Sequence, residues 1–276
     1  MNKYRSNPGI VNLVMLVILL IVVTFPFYVM LVGAFKLPVE LTKLPVNLSP
    51  FSKLTLKNME KVMTGSDVFL WLRNSFIISI SVSVLTVFIG LSAGYAFAKI
   101  PFRGKVFFFS LVMATMMMPK QILLIPNYLV ARTLHLENSM VGVILTSVAP
   151  AFGVFLSRQQ IASIPTELFD AAEIDGCGEV MKFFQIVMPV SLPTVGTIAI
   201  LSFFSTFNDF IWQSIMIINK GLRTLPVGLS YFSELNVGNK GAQLAMALVA
   251  TFPLGILFIV CQRFFIKGST DGALKG

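Results

Sequence analysis

The groups in this chain that can do chemistry are twelve carboxylates, one histidine and two cysteines, and they are spaced for contact rather than catalysis. His135 has no second ligand nearby and reads as a loop residue, so no metal site is expected. No Ser-His-Asp or paired-carboxylate set occurs, which leaves no catalytic residues. Cys177 and Cys261 provide no disulfide framework. The sequence also lacks G-x-x-x-x-G-K-[ST], the loop that cradles nucleotide phosphates. Two places remain. Asp209, beside Asn208, is the one acidic residue deep in an apolar run, where an ionised group costs about 2.5–3.5 kcal/mol at the bilayer centre. The pair either exchanges hydrogen bonds with a polar solute on a pathway or serves a neighbouring helix as a structural partner. The second place is the stretch Ile164–Gly178, which holds Asp170, Ala171, Ala172, Asp175 and Gly176.

That stretch reads as a short helix, a sharp turn and a second helix. Thr166 is a candidate N-cap, with Glu167 favourable in the first turn. Leu168, Ala171 and Ala172 share one shallow face. Gly176 suits the left-handed residue that ends a helix. Val180–Met188 comes next as an amphipathic stretch that runs into Pro189. Read from composition alone, an amphipathic loop on a membrane surface fits equally well.

The elements that must position these residues are apolar. The chain has 276 residues, 56% hydrophobic and 12% charged, against about 25% charged in soluble domains. Its apolar residues come in long runs, and about 20 in a row cross the hydrocarbon core as a helix. Six spans are expected: Ile10–Phe35, Trp71–Ala98, Val106–Met118, Met140–Leu156, Val190–Ile218 and Ala242–Phe265. The first run is too long for a signal peptide and is expected to be retained. Lys36–Arg73 and the region of Gly221–Lys240 read as polar loops, and residues 268–276 as a frayed tail. The net charge of +9 is scattered at span ends, where it meets lipid headgroups, and is not clustered as nucleic-acid binding requires. Three cations in the short turn Lys99–Lys105 favour both termini inside.

The run Asp170-Ala-Ala-Glu-Ile-Asp-Gly176, with Phe184, Ile186 and Pro189 behind it, resembles the EAA loop of ABC importer permeases. Arg73-Asn-Ser75, Ala93-Gly-Tyr-Ala96, Pro101-Phe-Arg-Gly104 and Asn208-Asp-Phe210 resemble the carbohydrate, maltose-type branch, as do Pro253 and the ending Gln262–Gly276. The resemblance implies an all-α integral membrane protein with six transmembrane helices. It implies a cytoplasmic coupling helix between the fourth and fifth, within residues 158–189, that docks on an ATP-binding subunit through Asp170, Ala171, Ala172, Asp175 and Gly176. Asp170 stands where the family usually has Glu. A cytoplasmic tail, residues 267–276, would add a contact through Lys267, Gly268 and Gly272.

The implied partners are a second homologous permease, two ATP-binding subunits that hold ATP and Mg, an extracellular or periplasmic substrate-binding protein, and membrane lipid. The expected setting is a bacterial or archaeal inner membrane, and the expected cargo a sugar or oligosaccharide. A glycerol-phosphate or other polyol fits too. An ion-coupled secondary transporter would favour several intramembrane ionisable groups, and only Asp209 is evident. A structural membrane protein would leave the Asp170–Gly176 loop unexplained.

Overall fold

A computed structural model describes residues 9–42, 48–51 and 53–273, with side chains as far as Val260. In chain order the helices are α1 (Ile10–Ala34), α2 (Pro38–Thr42), α3 (Lys57–Gly65), α4 (Val68–Lys99), α5 (Lys105–Met116) and α6 (Leu124–Thr133). Then come α7 (Met140–Ser147), α8 (Ala151–Ala162), α9 (Thr166–Ile174), α10 (Glu179–Lys182), a π turn (Phe183–Val187), α11 (Met188–Val190) and α12 (Leu192–Phe207). The last are α13 (Ile211–Met216), a 3₁₀ turn (Lys220–Leu222), α14 (Leu225–Leu235) and α15 (Lys240–Ala273). Among the described residues there is no strand, only an isolated antiparallel bridge between Lys36 and Leu54.

Two compact units divide the chain. One comprises the residues through Val68 with Gly228–Gly255, the other Phe69–Val227 with the chain from Ile256. In the first, α1 is apolar on every side, and its most hydropathic window is not buried by the chain at all. Its 25 residues rise about 37 Å, more than the hydrocarbon core. Only its end is covered, at Val32, Gly33 and Ala34. There the buried Asn58 amide donates to the carbonyls of Ala34 and Lys36, at 3.0 and 2.7 Å. A Cβ on Gly241 would strike the Asn58 side chain, so only glycine lets α15 start against this knot.

The second unit is organised by α4. A line of small and polar residues, Ser75, Ser79, Ser83, Thr86, Gly90 and Gly94, recurs about every turn and faces inward; its Ser and Thr members are all buried. Such residues let helix backbones approach closely in membranes. A Cβ on Gly90 would lie 3.0 Å from the Gly153 backbone, and one on Gly94 2.9 Å from the Arg158 nitrogen, so α4 crosses α8 backbone to backbone. Ser83 Oγ donates to the Ala199 carbonyl of α12 at 2.7 Å. At the start of α4, the Asn74 amide donates to the carbonyls of Gly221 and Arg223, at 3.0 and 2.9 Å.

Three helices, α1, α4 and the Lys240–Val260 part of α15, are long and apolar enough to cross a membrane. The other expected spans are broken. The fourth is α7 and α8, bent by 47°, because the residue before Pro150 is driven out of helical geometry. It also extends to Ala162, beyond the expected end at Leu156. The fifth stops at Phe207, and α13 resumes after Asn208–Phe210. The third is the 12-residue α5, ended before Pro119. Two expected polar loops contain helices, α2 and α3 in one and α14 in the other. The backbone at Lys267, Gly268 and Gly272 is part of α15 rather than a frayed tail. Their side chains lie outside the described residues.

Candidate functional site

The loop between α8 and α12 is built as a fastened bracket. Helix α9 ends in a Schellman motif: the Gly176 N–H donates to Glu173 O at 3.0 Å and the Cys177 N–H to Ala172 O at 2.8 Å. Gly176 takes φ +78°, the left-handed conformation expected of it. Thr166 is not the cap; Pro165 holds that position and no side chain caps the helix.

The expected face of α9 is only partly right. Phe169, one residue off that face, is the buried anchor, 6% exposed. It stacks on Tyr95 of α4 with centroids 5.9 Å apart and lies under the Lys99 ammonium at 5.1 Å. Lys99 also donates to the Ile164 carbonyl at 2.6 Å. Ala172 is half-buried, and Asp170, Ala171, Asp175 and Gly176 are exposed. Ile174 is uncovered too, at 87%.

Lys182 holds the rest. Its side chain, 5% exposed, donates to Glu173 on α9 at 2.9 Å and to Glu179 at 3.0 Å. The Tyr95 hydroxyl donates to the other Glu179 oxygen at 2.6 Å. The Tyr95 hydroxyl, and then Lys182, hold the Glu179 carboxyl below the usual carboxylate range. Hydrogen bonds to Glu173 and then Glu179 keep the Lys182 ammonium above the ordinary lysine value. Tyr95, Lys99 and Glu173 lie in segments singled out from sequence, but for other reasons, and Phe169, Glu179 and Lys182 were not singled out; that the six fasten the loop was not foreseen. The signals present were the i,i+3 pair Glu179–Lys182 and a large aromatic among alanines.

Beyond the loop the chain turns by 79° into α12. Pro189 cannot donate a backbone bond and its ring crowds the carbonyl four residues back. The π turn Phe183–Val187 before it widens the helix, and the Met188 N–H reaches back to Phe183 O.

The second site is a cavity of about 800 Å³ among α4, the α5–α6 connection, the α7–α8 break and α12–α13. Asp209 lines it with Thr86, Lys120, Asn127, Ser147 and Trp212. Asn208 is not part of the wall; its amide donates to the Phe204 carbonyl at 2.9 Å. Besides lining the cavity, Asp209 accepts the Trp212 N–H through its Oδ1 at 3.1 Å, at the start of α13. The Trp212 indole donates to Thr146 Oγ1 at 3.0 Å. Thr86 is 4% exposed, yet neither its hydroxyl nor that of Ser147 has a hydrogen-bond partner. The wall is mostly apolar with a few polar groups converging on it, the usual make-up of a small-molecule site. His135 sits at φ +54° in a turn, and among the described residues no three His, Cys, Asp or Glu are grouped to hold a metal.

The chain is 35% identical over 258 residues to the arabinooligosaccharides transport system permease protein AraQ of Halalkalibacterium halodurans, covering 92% of each. It is 28% identical to the sn-glycerol-3-phosphate transport system permease protein UgpE of Pectobacterium atrosepticum, covering 98% of this chain and 99% of that one. In fold it matches a crystal structure of a bacterial ABC transporter involved in import of the acidic polysaccharide alginate. That match has a TM-score of 0.83 at 20% identity, over 96% of this chain and 99% of that chain. Residues 86–270 match the family described as the binding-protein-dependent transport system inner membrane component. That segment holds both the fastened loop and the cavity, and the chain belongs to this family of multi-pass ABC importer permeases.

Proposed function

We propose that this permease forms half of the pathway of a sugar or oligosaccharide importer and is driven by a separate ATPase docked on α9. Six passes, with α5, the α7–α8 pair and the α12–α13 pair counted as spans, put both termini and residues 158–189 on the cytoplasmic side. Two ATP-binding subunits supply ATP and Mg; a second, homologous permease completes the pathway. A binding protein outside delivers the sugar. Asp170, Ala171, Ala172, Asp175 and Gly176 form the docking surface, and Lys267, Gly268 and Gly272 add a second contact. Asp209 lies on the substrate route, and Asn208 acts behind it.

The observation that carries this reading is the uncovered side of α9. Asp170 and Ala171 are exposed and Ile174 is 87% exposed, while Phe169 is buried against Tyr95 and Glu173 is tied to Lys182. Leu168, Val180, Met181 and Phe184 on the same loop are exposed too, and apolar side chains gathered on one exposed segment support a partner surface there. Ala171→Trp tests it, because Ala171 is exposed and the larger side chain leaves the chain's own packing alone. The variant should reach the membrane normally, lose the copurifying ATPase and lose uptake. Full uptake with the ATPase still bound sinks the docking assignment. A second reading, import of a polyol phosphate, is supported by the UgpE relative and by Lys120 in the cavity wall. Competition of arabinotriose uptake by glycerol 3-phosphate separates the two.

A further inference from the structure

We propose that Tyr95, Glu179 and Lys182 are positioning residues that carry movement of α9 into α4, and along α4 to the cavity wall. This rests on the docking reading above. The bonds form one chain: Glu173 on α9 to Lys182, Lys182 to Glu179, and Glu179 to Tyr95 on α4, at 2.9, 3.0 and 2.6 Å. Each involves an ionised group, and such bonds are short and about twice as strong as neutral ones. The Lys182 side chain is buried, so releasing a carboxylate would leave its charge poorly compensated. Phe169 stacked on Tyr95 adds an apolar contact to the same junction.

The two routes from α9 toward the cavity differ in stiffness. The route along the chain passes α10, the π turn, Pro189 and a 79° bend before it reaches α12. The route through Tyr95 enters an unbroken helix. Thr86, in the cavity wall, lies nine residues up α4 from Tyr95, about 13 Å of continuous helix. Between them Gly90 and Gly94 lie against the α8 backbone with no room for a Cβ. A displacement of α4 therefore takes α8 with it, and Gly153 of α8 lines the cavity too. The straight route moves two walls at once.

The test uses the complex of this chain with its copurifying permease and ATPase, reconstituted in liposomes. Ser205→Cys, in the cavity wall, is introduced with Cys177→Ser and Cys261→Ser as a reporter. Its labelling rate by a cationic thiosulfonate reagent is measured with and without ATP plus vanadate. The reporter should respond to ATP. Tyr95→Phe keeps the ring stack and should leave ATPase copurification and basal hydrolysis unchanged, while the response shrinks by about tenfold, the scale of one hydrogen bond to a charged group. Glu179→Gln should do the same, and the double variant should lose no more than the worse single one, as expected of one shared contact. Lys182→Arg should keep the response and Lys182→Met should lose it. A full response in Tyr95→Phe overturns the proposal. So does a reporter that ignores ATP, or a Tyr95→Phe variant that sheds the ATPase, which would make the hydroxyl a mere builder of the loop. Retention of the ATPase by Ala171→Trp would instead overturn the docking reading itself.

Discussion

Where α4 meets the loop, Tyr95 and its neighbours satisfy one another; where α4 borders the cavity, Thr86 does not. Both stretches belong to apolar clusters of similar make. Leu91, Tyr95, Ile161, Phe169 and Phe183 pack at the loop, and Ile78, Val82, Val143, Trp212 and Met216 near the cavity. At the loop, the bonds of Tyr95, Lys99 and Lys182 are 2.6–3.0 Å long. At the cavity, the buried hydroxyls of Thr86 and Ser147 make no bond. A buried polar group without a partner costs about 1–3 kcal/mol. One helix thus carries a stretch whose polar groups are bonded within the chain and another whose buried hydroxyl is left without a partner.

The strongest blow to that comparison is Gly94→Val, at the crossing that joins the two regions. A branched side chain there meets the Ser157 side chain and the Arg158 nitrogen, and overpacking of this kind costs about 1–3 kcal/mol or more. Little stable protein should be recovered, and a melting temperature equal to wild type would show that the helices are not locked. Thr86→Val is milder and sharper. It removes a hydroxyl that bonds to nothing in the chain, so stability should hold or rise slightly. The KM for uptake should rise by about fivefold, the loss of one hydrogen bond of about 1 kcal/mol. Loss of melting temperature with normal KM would make Thr86 structural.

The smallest effect is a pH signature at the loop. Glu179 has a depressed pKa in the fold, so its contribution is present above the unfolded carboxylate value and lost as pH falls through the folded one. The melting difference between wild type and Glu179→Gln should stay constant from about pH 5 to 8. It should vanish well below about pH 4.3, the ordinary glutamate value. A difference that changes near neutrality would point to another group.

Much of this was legible in the residues. Long apolar runs identified the helices, because lipid demands internally satisfied backbones. Gly176 was readable because a helix end needs a left-handed residue there, and its φ of +78° is that conformation. The breaks were harder. Pro150 is plain in sequence, but prolines are tolerated inside α1 and α15 as well, at Pro26 and Pro253, so the residue alone does not decide between a bend and a continuous helix. The bracket was hidden because the bonds that tie it to α4 join residues far apart in sequence, 84 positions for Tyr95 and Glu179 and 65 for Lys99 and Ile164. No local period reports such a pair.

The π turn at Phe183–Val187 bears on how this molecule tolerates changes in length. Such a turn carries one residue more than an α-helix would use. Phe183 and Val187 face inward while Gln185 stays exposed. Deleting Gln185 would remove the surplus and let the turn close as ordinary α-helix with its two flanks still in phase. A residue inserted in the regular turns of α12 meets no such slack, and would rotate the helix beyond it by about 100°, turning another side toward the cavity. The loop and α12 are thus buffered against a shortening at this one turn and exposed to a change of length elsewhere.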